Sequence, residues 1–169
     1  MNKTKRIALL GMLYAVAIVL SILEGWVVPL FGLPPGVKLG LSNVAVMYAL
    51  FFIGWKEAYL LGVLKAFGVF ITRGAVGAAL SLAGGLLSIT VMLLLAKLPQ
   101  KWNISYFFIA VAGSLAHNLG QLGMVSLMLG TAFSFYYLPV LLLSGLVMGM
   151  LTGTSLRYLL PALKRITGN

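Results

Sequence analysis

The chain has two acidic residues in 169, Glu24 and Glu57, with no aspartate and no cysteine. Each shortage removes a class of chemistry. Without cysteine there are no disulfides, no thiolate metal sites and no cysteine nucleophile. Without aspartate no Ser–His–Asp set can form. Glu24 is expected at the outer end of the first helix and Glu57 at the inner surface, a placement that excludes a paired acid/base site and a relay of buried carboxylates. No GxxxxGK[ST] loop occurs, so the chain cannot hydrolyse nucleotide by itself. Charged residues make up only 8% of the chain, against about 25% in a soluble domain.

What is abundant is apolar. Hydrophobic residues make up 62% of the chain and form stretches of roughly 18 residues or more, enough to cross a hydrocarbon core about 30 Å thick. The reading is an all-α, single-domain membrane bundle. Roughly six transmembrane helices fit, at about residues 7–23, 39–54, 57–72, 76–96, 104–129 and 136–160. The Gly32-Leu33-Pro34-Pro35-Gly36 connection separates the first two, and Arg73-Gly74 breaks the third from the fourth. Gly54-Trp55-Lys56 joins the second and third as a tight helical hairpin. The basic start, Lys3, Lys5 and Arg6, imitates a secretory leader, but no small-residue cleavage site follows, so it reads as the first span.

The net charge of +10 would suggest nucleic acid in a soluble protein. Here the basic residues lie at span ends, where the cytoplasmic-positive rule accounts for them. With the N-terminus inside, Lys3, Lys5, Arg6, Lys56, Lys97, Lys101, Arg157, Lys164 and Arg165 collect on the cytoplasmic side, nine of the twelve Lys and Arg. Lys38 and Arg73 remain outside. Both termini are therefore expected in the cytoplasm, in the cell membrane.

Polar groups inside the membrane are expensive and are where function is sought. Lys65 lies nine residues beyond Lys56, roughly 13 Å along a helix. That is near the midplane, where a lysine costs at least about 2.5 kcal/mol. No acidic residue is expected at its depth, so it reads either as lining a water-filled or ligand-filled cavity, or as satisfied by carbonyls and hydroxyls. In the fifth span Ser114, His117, Asn118 and Gln121 recur at helical spacing, placing His117, Asn118 and Gln121 on one polar face. They read as ligand-binding groups or as interhelical amide glue; a lone histidine is no metal site, and no cofactor is expected. At the outer rim, Lys38, Asn43 and Arg73, with Trp26 and Phe31, complete a candidate pocket for a small anionic, partly aromatic molecule. Their alternative role is interfacial anchoring.

Glycines recur every fourth residue, as in Gly145, Gly149 and Gly153, giving faces on which helices approach closely in lipid. Four stretches carry a resemblance: Val37-Lys38-Leu39-Gly40-Leu41-Ser42-Asn43, Gly54-Trp55-Lys56-Glu57-Ala58, Ser81-Leu82-Ala83-Gly84-Gly85-Leu86-Leu87-Ser88 and Ala116-His117-Asn118-Leu119-Gly120-Gln121. Together they resemble the Gx transporter family, also labelled heptaprenyl diphosphate synthase component I, and more distantly the substrate-binding S-subunits of energy-coupling factor (ECF) vitamin transporters. The resemblance implies a six-helix protein that captures a small, vitamin- or cofactor-like substrate from outside. It would pass the substrate to a membrane coupling subunit and two ATPase subunits. It also implies docking through a small-residue motif on the first helix, here Gly11 and Ala15. The prenyl synthase label implies aspartate-rich Mg²⁺–diphosphate sites, which a chain without aspartate cannot form. A catalytic role is therefore not expected. A non-catalytic subunit of a redox, flavin- or quinone-linked assembly is the alternative. The transporter reading predicts a ligand-sized cavity lined by Lys65, His117, Asn118 and Gln121. The alternative predicts those groups bonded to one another without a cavity.

Overall fold

The computed structural model describes residues 2–30, 40–99 and 104–167. Those residues are helical apart from short turns. Helix α1 runs Lys3–Leu30 and α2 covers Asn43–Tyr48, continuing as a π-helical turn over Ala49–Ile53. Helices α3 Trp55–Ala96, α4 Tyr106–Leu129 and α5 Thr131–Thr167 follow.

Four of these are long and apolar enough to cross a membrane, which makes this a multi-pass membrane protein; the sequence suggested six spans. The count differs because α2 is short and because α3 counts once although it holds two arms. The expected second span shortens to α2 and its π-helical turn, six residues plus five, which rise only about 16 Å, half of a 30 Å core. The expected third and fourth spans correspond to the two arms of α3, which meet at Gly74, whose backbone is non-helical (φ 73°, ψ −173°). A positive φ of this kind favours glycine over any residue with a Cβ. The two arms of α3, 55–73 and 75–96, fold back on each other: the Tyr59 and Thr90 hydroxyls hydrogen-bond at 2.7 Å, and a Cβ on Gly62 would lie 2.9 Å from Ile89 Cδ1.

Between α4 and α5 the spaced glycines do what their pattern suggests. A Cβ on Gly149 would lie 2.7 Å from Val111 Cα, so the backbones touch where no side chain intervenes. The second arm of α3 meets α4 in the same way, with Gly84 against the His117 carbonyl and Gly120 against the Ala83 carbonyl. Large apolar side chains such as Phe67, Ile71, Leu127 and Leu143 face outward, as a lipid-facing surface requires. The buried apolar core gathers around α2, with Met47, Leu61, Ile89 and Met92 almost wholly enclosed. At one end Arg6 and Glu57 form a salt bridge that ties the start of α1 to the start of α3.

Candidate functional site

The shortness of α2 sets the polar geometry. The turn at residues 40–42 enters the bundle instead of lying at its rim, and Gly54 acts as the pivot between α2 and α3. Asn43 and Lys65 each stand eleven positions from that pivot, so the hairpin brings them face to face. The Lys65 ammonium donates to Asn43 Oδ1 at 2.5 Å and to Ser42 Oγ at 3.2 Å, and Lys65 is only 3% exposed.

Glu24 completes this set and corrects the sequence reading. Expected at the outer end of a helix ending near residue 23, it is 1% exposed, because α1 continues to Leu30 and carries it into the bundle. Its Oε1 accepts the Ser42 backbone N–H at 3.0 Å, and Oε2 has no hydrogen-bond partner. Ser42 therefore joins the carboxylate to the ammonium, and the two charges attract each other. Lys65 thus has an acidic neighbour at its own depth, where none was expected.

A cavity of about 10 Å³ adjoins Lys65, walled by Asn43, Val46, Gly62, Gly85, Ser88 and Met92 among others, roughly the room of one water molecule. None of the polar residues of α4 lines it. Those residues lie across the second arm of α3. His117 and Gln121 share a face packed on Gly84, and their ring and amide nitrogens pair at 3.2 Å. Asn118 departs from that face and points to α5, donating to the Leu141 carbonyl at 2.6 Å and to Ser144 Oγ at 3.3 Å. The single polar face expected on this helix is thus divided between two neighbours. An α-helix turns about 100° per residue, so adjacent residues 117 and 118 cannot both face α3 when packing draws one to each side.

Arg73, the proposed outer cation, is half-buried and donates to the Ser21 carbonyl of α1 at 2.5 Å, apart from the Lys65 hydrogen bonds. Lys38 lies outside the described residues. Gly11 and Ala15 are exposed, and a Cβ on Gly11 would meet nothing within 4 Å among the described residues, which leave this face of α1 uncovered. No group of three or more His, Cys, Asp or Glu that could hold a metal occurs among the described residues. The residues that sequence reasoning missed are Glu24, Ser42, Ser88 and the glycines 62 and 85. The hairpin symmetry about Gly54 was the available signal for Ser42.

A family model described as heptaprenyl diphosphate synthase component I matches residues 13–159. The chain belongs to that family. Comparison with curated proteins and with solved structures gave no match.

Proposed function

We propose that this family member is a non-catalytic membrane subunit that acts through partner proteins. The observation that carries the reading is that Lys65, His117 and Asn118, the buried groups singled out from the sequence, are each engaged within the bundle. Lys65 is held by Ser42 and Asn43, His117 by Gln121, and Asn118 by α5. The void beside Lys65 has the room of a single water. Such groups knit helices together in lipid, where packing and interhelical hydrogen bonds replace the hydrophobic drive. The family description names a component, one part of something larger. A chain without aspartate leaves any Mg²⁺–diphosphate chemistry to another subunit. A redox, flavin- or quinone-linked assembly would use it in the same structural way.

A second reading is favoured by one feature. Lys65 and Arg73 outnumber Glu24 in the same region. On this reading the chain is the substrate-binding subunit of an ECF-type uptake transporter, capturing a small anionic molecule from outside. Lys65, Asn43 and Arg73 would be its first contacts, and Gly11 and Ala15 its face toward the coupling subunit. The experiment is purification of the tagged full-length chain from its own membranes in mild detergent, with mass spectrometry of proteins and retained small molecules. Recovery of a coupling subunit and ATPases supports transport. Recovery of synthase or redox subunits supports the first reading. Enzymatic turnover by the chain alone would overturn both.

A further inference from the structure

The cavity at Lys65 differs from a packing defect in what surrounds it. One wall is an ammonium with two hydrogen bonds made, to Ser42 and Asn43, out of a capacity of three. Asn43 uses its carbonyl oxygen on Lys65, which leaves its amide N–H₂ to donate. Ser88, 4% exposed, adds a hydroxyl. The remaining walls, Val46, Ile89 and Met92, are apolar, so charge–dipole attraction inside acts in a low dielectric. All the polar groups there can donate, and no carboxylate lines the space. Lys65, Arg73 and Glu24 influence one another electrostatically and sum to one excess positive charge. Glu24 accepts the Ser42 backbone N–H through one oxygen and does not line the cavity.

We propose that this cavity is a resident site for one monovalent anion of halide size, held by the Lys65 ammonium, the Asn43 amide and the Ser88 hydroxyl. The space is about that of one water molecule, so a single-atom anion enters with a small yielding of the walls, whereas a carboxylate or phosphate group needs them to part much further. Gly62 and Gly85 both line the space and add no side chain to it. The ion is part of the folded subunit, in the way that buried waters are part of other interiors, and its presence does not depend on which assembly the subunit serves.

The test uses the purified full-length chain in detergent with sodium gluconate as the only salt. Chloride or bromide is then titrated in at constant ionic strength. The thermal midpoint should rise with the logarithm of halide concentration above Kd, by about 5–10 °C at a hundredfold excess, and acetate should give no such rise. Gly85 lines the space, and Gly85→Ala adds a methyl group there that meets none of the described residues within 4 Å. That variant should fold and lose the halide response. Equal midpoints in chloride and gluconate would leave only water in the cavity and overturn the proposal, as would a halide response that survives Gly85→Ala or one matched by acetate. Should that variant fail to fold, an anomalous bromide peak beside Lys65 Nζ in wild-type crystals supports the site, and a bromide-soaked structure without one overturns it.

Discussion

Replacing Lys65 with methionine tests the buried charge network most directly. Had the lysine lacked any acidic neighbour, its removal would relieve an uncompensated charge and leave folding intact or improved. Glu24 reverses that sign. The carboxylate is 1% exposed, one of its oxygens is already without a partner, and its opposite charge is Lys65, reached through Ser42. Lys65→Met strands the carboxylate and leaves Asn43 Oδ1 and Ser42 Oγ without their donor. The two charges meet only through Ser42, so the cost is that of leaving buried polar groups unsatisfied, about 1–3 kcal/mol, which for a chain of this size lowers the thermal midpoint by roughly 2–12 °C. Glu24→Gln should also destabilise, by leaving the ammonium unbalanced. The double variant removes both charges, so its loss should fall short of the sum by about 1–3 kcal/mol. Thermal melts of the three purified variants in one detergent complete the cycle. Additive losses, or a Lys65→Met protein as stable as wild type, would refute the coupling.

Three further outcomes are expected. Gly149→Ala puts a Cβ 2.7 Å from the Val111 backbone and should cost about 1–3 kcal/mol, read as a lower midpoint; no change would mean that α4 and α5 are not in close contact there. Gly11→Leu with Ala15→Leu should leave the midpoint unchanged, since none of the described residues packs on Gly11, while partner proteins drop out of the co-purification; full retention of partners would remove this face from docking. In a cysteine-labelling scan on intact cells, a cysteine replacing Arg73 should react with a membrane-impermeant reagent and one replacing Lys101 should not; the reverse pattern would invert the cytoplasmic placement of both termini.

Much of the architecture was legible from composition and spacing, because the physical demands of lipid are blunt. Apolar length, the break at Arg73-Gly74 and the every-fourth glycines from Gly145 each have one dominant cause, and each is found in the described residues. The depth of individual polar residues was harder to read. Placing Glu24 required knowing that α1 continues past Leu23 to Leu30, and hydropathy weakens at Glu24 itself, so the pattern stopped the helix where the chain does not. The apolar run at 39–54 likewise reads as a full span, although its helix begins only at Asn43; a few residues of non-helical turn carry no hydropathy signal. The split between His117 and Asn118 depended on which neighbour each met, which spacing along one helix cannot tell.

The half-length α2 gives a reason for two expensive charges to lie at one depth. A turn that enters the bundle brings backbone amides that no helix satisfies, and in hydrocarbon each such group costs several kcal/mol. Part of the demand is met locally: Asn43 N–H donates to the Gly40 carbonyl at 2.9 Å and Val44 N–H to the Leu41 carbonyl at 3.1 Å. The Ser42 amide has no such partner, and Glu24 accepts it. A carboxylate there needs a cation nearby, and Lys65, placed opposite by the pivot at Gly54, supplies one while also holding the Ser42 hydroxyl and the Asn43 side chain. The charges then follow from the shape of the backbone: the short helix requires a cap, the cap is acidic, and the acid requires a base. What this chain of requirements leaves over is Arg73, whose charge is answered in the described residues by a carbonyl of α1 and by no second carboxylate. The interior is thus one negative charge short of balance, and that deficit, more than the lysine itself, is what an anion bound in this bundle would answer.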